Sequence, residues 1–288
     1  MTARVHERIG QFGIWRAASQ TTPDLARAIE RLGYGAIWLG GSPDGDLAVV
    51  DELLRATSTL VVGTSIVNIW KDDASTVARS FAWIHESHHG RFILGVGAGH
   101  PEATRDYASP YDTLARYLDT LLENHVPADS IVLAALGPRV LQLAAQRTAG
   151  AIPYLVTPEH TRRAREILGP RKLLAPEHKV VLDTDAVRAR ALGGDRVRTP
   201  YLGLANYTSN LRRLGFTDAD LAGSGSDRLI DALVAHGSAA EVAAQLTAHL
   251  DEGADHVCVQ LLTQADVDPV AGYAELASAV GLEHRPGE

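Results

Sequence analysis

Cysteine is almost missing from this 288-residue chain. The single Cys258 excludes an internal disulfide. It sits in the apolar run HVCVQLL with no basic neighbour, and reads as a small buried hydrophobe rather than a reactive thiol. No apolar run approaches the roughly 18 residues of a membrane span. The first residues, MTARVHERIGQFG, lack the apolar core of a secretion signal, so a cytoplasmic protein is expected. The net charge is −8 and no basic block interrupts it, which argues against nucleic acid as a partner. An acidic ligand would need a local site. G-x-S-x-G and Cys–His arrangements are absent, and with them the signs of nucleophilic catalysis. The H-x-H of barrel metal hydrolases is missing from the first strand.

What is present is a steady alternation. Short apolar runs at 9–15, 34–40, 60–70, RFILGVG, 130–136, 151–156, 178–183 and 255–262 read as strands. Each is followed by helical pattern. TTPDLARAIERLG is typical: Thr22 caps, Pro23 fits the first turn, Asp24 suits the dipole and Gly33 stops the helix. Continuous rather than alternating apolar runs fit a parallel sheet covered on both faces. Eight such units in this length predict a (β/α)8 barrel, of the type known as a TIM barrel, as a single domain over 1–288. The stretch 183–237 is longer than one crossover needs and predicts extra helices between strands seven and eight.

Residues 90–102 read GRFILGVGAGHPE. A dinucleotide fingerprint needs G-x-G-x-x-G, but the third position is His100 counted from Gly95 and Glu102 counted from Gly97. In a barrel the active site lies at the C-terminal ends of the strands, which puts Gly97, Gly99 and His100 at the end of strand four. Glycine there lets a flat ligand or a phosphate approach the backbone. The alternative is a tight strand exit that holds no ligand. After strand five, Gly137 and Pro138 open a helix with free N–H groups, and Arg139 is adjacent. That start is either an anion site or a plain helix opening. HESHHG places His85, His88 and His89 at metal-like spacing. It lies at a helix C-terminus, where histidines complement the dipole, and no metal site is expected. Arg162, Arg163 and Arg165 read as a solvated helix face, and Trp38, Trp70 and Trp83 as core or shell, with Trp70 kept as a candidate stacking platform because it follows strand three.

The order YGAIWLGG, LVVGTSIVNIW, RFILGVGAGHPE, LAALGPRVLQLAAQRTAGAIPYLVTPEHT resembles the bacterial-luciferase-like flavin and deazaflavin oxidoreductases. Within that superfamily it is similar to the coenzyme F420-dependent branch, over about residues 9–262. The resemblance implies a non-proline cis peptide at Ser65–Ile66 in VGTSIVN, close to Asn68. It implies that Gly97, Ala98 and Gly99 pass the cofactor's polar chain. It implies phosphate and tail contacts at Gly137, Pro138, Arg139 and Tyr154. Many deazaflavin enzymes of the superfamily place a histidine or an acid at the end of strand two, where this chain has Gly40, Gly41 and Ser42. A proton donor must then come from elsewhere, and His100, Tyr107 and Trp15 are the candidates; Gly40 is kept as a cofactor contact.

The implied function is hydride transfer between coenzyme F420 and a small organic substrate. The alternatives are an FMN-dependent monooxygenase, which differs by consuming oxygen, and a flavin-binding barrel without turnover. The expected partner is a small-molecule substrate, with a homodimer allowed and neither nucleic acid nor membrane involved.

Overall fold

The computed structural model describes residues 8–99, 109–265 and 267–284. His100 and Tyr107, both candidates above, lie outside the described residues. In chain order the elements begin β1 (Phe12–Ala17), α1 (Pro23–Arg31), β2 (Ala36–Gly40), α2 (Ala48–Arg55), β3 (Val61–Thr64), β4 (Val67–Asn68) and α3 (Ala74–Ser87). They continue with β5 (Phe92–Gly97), α4 (Pro110–Glu123), β6 (Ile131–Leu133), α5 (Pro138–Arg147), β7 (Gly150–Ala151), α6 (Pro158–Leu168), β8 (Leu173–Leu174) and β9 (Glu177–Val181). A helical segment follows, α7 (Ala186–Arg198), α8 (Ala205–Arg213), α9 (Asp218–Leu221) and α10 (Asp227–Leu233). The chain ends with β10 (Val234–His236), α11 (Ala239–Asp251), β11 (Val257–Leu261) and α12 (Val270–Ala279).

The strands form one curled sheet in the order β10-β9-β11-β1-β2-β3-β5-β6-β7-β8, with β4 also on β5, and every pairing is parallel. The path runs from β10 to β8, and β8 is followed directly in the chain by β9, the strand next to the other end. The N–H groups of Ala175 and Glu177 donate to the carbonyls of Ala151 and Pro153, while the carbonyl of Pro176 accepts from Cys258 on the other side.

Local chemistry explains the elements. The Thr22 hydroxyl accepts from Leu25 N–H and Pro23 occupies the first turn of α1. Asp73, Thr157 and Ser238 cap α3, α6 and α11 in the same way. The apolar faces of the helices pack on the outside of the sheet, with Ile29, Leu53, Phe81, Leu118 and Leu246 in one large core. A second, smaller core lies inside the curl, with Ala36, Trp38, Val61, Ile93, Val132, Ile152, Leu173, Ala175 and Cys258. Because side chains alternate along a strand, residues two apart share a face. Following those inward positions toward the strand C-termini leads to Trp15, Gly40, Gly97, Tyr154, Lys179 and Gln260. The interior changes there from apolar to polar.

Three details depart from the sequence reading. The stretch after strand seven was expected to be mostly helical, but β10 interrupts it and pairs with β9. Three residues carry no readable period, so hydrogen bonding to a neighbouring strand decides their conformation. Trp83 is 48% exposed, under the Arg55 guanidinium, rather than in the core or its shell. Arg165 is largely covered, donating to the carbonyls of Gly169, Lys172 and Gly253 and pairing with Asp255. Only Arg162 and Arg163 fit the solvated-face reading, through pairs with Glu159 and Glu166.

Candidate active site

The strand C-termini bring most of the described candidates to one end of the sheet. Trp15, near the end of β1, donates its indole N–H to the Ser65 hydroxyl at 2.9 Å. Ser65 begins a cis peptide to Ile66, as the resemblance implied. Asn68, at the end of β4, accepts from Trp70 N–H.

The glycines at this end make room for protein. A Cβ at Gly40 would lie 1.9 Å from the Trp15 ring, so the indole fills the space that a strand-two side chain would use. A Cβ at Gly97 would meet Ala134 at 2.9 Å and Ile66 at 3.0 Å, and one at Gly99 would meet the Asn68 amide at 2.6 Å. Ala98 packs against the outer core. Gly40→Ala is therefore expected to displace the Trp15 ring and break its bond to Ser65. Overpacking of this kind costs about 1–3 kcal/mol, read as a lower urea midpoint. An unchanged midpoint and unchanged Trp15 fluorescence would show the ring moves freely.

Gly137 differs from these three. It is the N-cap of α5 with φ −96°, it offers no capping side chain, and the nearest atom to a Cβ there is Arg213 Nη2, 3.9 Å away. Pro138 holds the first turn. Arg139 places its guanidinium 4.3 Å from the centre of the Tyr111 ring. The cation beside Gly137 is thus Arg213, from α8, which also donates to Asn210. Sequence reasoning missed it because α8 lies more than sixty positions downstream and ends in two adjacent arginines that look alike. His160 is buried and bonds the Leu136 carbonyl at 2.9 Å, directly before this helix start. Burial holds its pKa below the ordinary histidine value.

Across the mouth lies a pocket of about 330 Å³, bordered by β1, Tyr154, β9, β11 and the cis Thr199–Pro200 segment. The Tyr201 hydroxyl donates to the Tyr154 hydroxyl at 3.0 Å, and Tyr154 donates to Gln260 Oε1 at 2.9 Å. The Trp15 and Tyr154 rings are 5.2 Å apart. Burial raises the pKa of Tyr154 well above 10 and that of Tyr201 to about 12, so both are neutral hydrogen-bonding groups.

Beneath them Lys179 and Glu177 form a buried ion pair at 3.1 Å. The Lys179 ammonium sits 4.0 Å from the Tyr154 ring centre. The other Glu177 oxygen accepts from Leu155 N–H at 2.9 Å, and Leu155 has φ +56°. Neither charged residue is apparent as a site residue in the run EHKVVLD. The available signal is their spacing: two apart on a strand means one shared face.

Among the described residues no cluster of three or more His, Cys, Asp or Glu could hold a metal. His88 pairs with Asp51 at 2.7 Å instead. Cys258 is buried, with its thiol pKa pushed up by burial. No described helix is long and apolar enough to cross a membrane.

Residues 9–123 match the family model described as luciferase-like monooxygenase. Over that segment the chain is similar to the luciferase-like monooxygenases. No protein with a curated description matches the sequence. Solved structures extend the likeness to the whole fold. An F420-dependent secondary alcohol dehydrogenase in complex with an F420–acetone adduct superposes with a TM-score of 0.71 at 16% identity, covering 94% of this chain and 99% of that one. The coenzyme F420-dependent tetrahydromethanopterin reductase from Methanopyrus kandleri gives 0.69 at 14% identity, over 96% and 99%. The oxygenating constituent of 3,6-diketocamphane monooxygenase from Pseudomonas putida, in complex with FMN, gives 0.67 at 14%, over 96% and 98%. The fold of these structures therefore covers nearly the whole chain, although the family match covers only residues 9–123.

Proposed function

We propose that this protein is an oxidoreductase that moves a hydride between the deazaflavin coenzyme F420 and a small organic substrate. The observation that carries this reading is the open start of α5. Its first-turn N–H groups have no capping side chain, the space over Gly137 is free, and Arg213 stands beside it. A helix start of this kind suits a phosphate. The residues present therefore fit a phosphate-bearing flavin or deazaflavin. Gly137, Arg139 and Arg213 would hold the anionic part, with Trp15, Ser65, Ile66, Asn68 and Gly97 on the ring side. When bound, the cofactor supplies the hydride chemistry. The chain's own residues hold the substrate, keep water out and place hydrogen-bond donors. His100, Tyr107 and Trp15 remain the proposed proton or hydrogen-bond donors, and Ala98, Gly99, Pro138, Tyr154 and Gly40 the proposed lining.

The same reading takes residues 173–181 as one barrel strand, so that eight strands close the ring in a single domain. Hydrogen bonds from this strand to both neighbours support it.

A second reading, a monooxygenase using reduced FMN, is favoured by the family match. Parallel titrations with F420 and FMN, followed by cofactor fluorescence, separate the two. Oxygen uptake by the reduced complex marks the monooxygenase, and no binding of either cofactor removes both readings.

Gly137→Val is expected to weaken cofactor binding by about 1–3 kcal/mol, the worth of hydrogen bonds to a charged group. Its extended backbone suits any residue, so the melting temperature should hold. Unchanged affinity in the folded variant would place the phosphate elsewhere.

A further inference from the structure

The pocket beside Tyr154 has an unusual charge balance for this chain. Acids outnumber Lys and Arg by 35 to 27 overall, yet Arg16, Lys179 and Arg196 line the pocket and no carboxylate does among the described residues. Lys179 is matched by Glu177 behind it. Arg16 and Arg196 have no ion-pair partner among the described residues. Arg16 is engaged away from the pocket, with its Nε on the Gln20 carbonyl and its charge acting on the Tyr273 hydroxyl of α12, whereas Arg196 acts electrostatically on the Tyr201 hydroxyl at the rim.

The rest of the wall is flat and hydrogen-bonding. Trp15, Tyr154 and Tyr201 present aromatic surface, their neighbouring ring centres 5.2 and 5.3 Å apart. Gln260 and Thr263 add amide and hydroxyl groups. The α5 start, which the proposed function assigns to the cofactor phosphate, follows β6. The pocket borders β1, β9 and β11, which lie together on another arc of the sheet.

We infer that this pocket takes a small substrate bearing a carboxylate on a flat body, with Arg196 meeting the anion and the three aromatic rings meeting the body. The inference rests on the oxidoreductase reading and deepens it by naming a substrate class. An arginine–carboxylate pair is charge-assisted and geometrically selective. It also draws an anion into a protein whose overall charge would repel it.

The test is a fluorine NMR titration of the full chain with para-fluorobenzoate and its neutral counterpart, para-fluorobenzamide. The expected result is saturable benzoate binding, at least tenfold tighter than the amide and weakened by added salt. Arg196→Gln should weaken benzoate binding at least tenfold, and Arg196→Glu should abolish it. Arg196 is exposed, so both variants should fold, and their melting curves verify this. F420 and FMN titrations of the same variants should match wild type. The inference is overturned if benzoate does not saturate, if the amide binds equally well, or if the variants bind benzoate unchanged. It is also overturned if they lose cofactor affinity alone, since the rim would then serve the cofactor's own anionic tail. Benzoate binding without any cofactor binding would sink the oxidoreductase reading and leave the anion pocket standing.

Discussion

Lys179→Met should destabilise the protein by about 3–5 kcal/mol, the usual cost of leaving a buried charge without its partner. Both members of the pair are buried, with side chains 1% and 0% exposed. Burial lowers the pKa of Lys179 and raises that of Glu177, and their mutual attraction opposes both shifts. Methionine keeps the volume of the stem but removes the ammonium. Glu177 then keeps the hydrogen bond from the Leu155 N–H but has lost its counter-charge. The ammonium's contact with the Tyr154 ring is lost as well. Adding Glu177→Gln should recover most of the loss, because a neutral amide still accepts from Leu155 and needs no counter-charge. Urea unfolding of wild type, Lys179→Met and the double variant forms the check. A single-variant loss below about 1 kcal/mol, or no recovery in the double, would mean that the pair is not charged in the fold. Tyr154 loses its underpinning in the single variant, so the pocket should loosen together with the fold.

The architecture was readable because helix signals and strand runs agree along the chain. Thr22, Pro23 and Asp24 start α1 by local chemistry alone, and the apolar face of the helix points the same way. The strand exits were readable for a related reason: glycines cluster where the interior is crowded. Their purpose was not. Gly40, Gly97 and Gly99 face Trp15, Ile66 and Asn68, contacts between residues distant in sequence that no local pattern reveals. Arg213 reaches Gly137 from another helix, and Glu177 and Lys179 look like ordinary solvated charges until the sheet curls around them. Trp15 was legible as a strand-end residue. Its place over Gly40 accounts physically for the missing strand-two side chain, since the indole already occupies that space. Register, closure and side-chain reach come from tertiary packing, and the sequence carries them only as pairs that must already be known to be neighbours.

Acid should destabilise this fold between pH 7 and pH 5, because the fold holds buried histidines neutral. His256 is buried at the closed end of the sheet, and burial pushes its pKa from the ordinary 6.5 down to about 4. Its hydrogen bonds explain how the neutral ring is held. The Trp38 indole N–H can only donate, so His256 Nε2 accepts it at 3.0 Å, and Nδ1–H donates to the Gly10 carbonyl at 2.7 Å. Protonating Nε2 would set two N–H groups against each other. His178 behaves alike, with its pKa lowered to about 4 by burial; its Nδ1 lies 2.9 Å from His249 Nε2, and His249 Nδ1 lies 2.7 Å from the Thr161 hydroxyl. A histidine whose folded pKa is depressed binds fewer protons folded than unfolded. Its contribution is complete above about 6.5 and is lost as pH falls toward the folded value. For His256 the loss amounts to about 2 kcal/mol between pH 7 and pH 5, from 1.36 kcal/mol per pKa unit. Glu159 and Asp220, held to about 2 by hydrogen bonds, stay ionised through that window. His256→Gln, whose amide can accept from Trp38 and donate to Gly10, should lose that much less stability over the same interval. Urea midpoints of both proteins at pH 7, 6 and 5 measure the difference, in which the other histidines cancel. Parallel curves would show that His256 takes up its proton equally in both states, and the neutral-ring account of the closed end would fail.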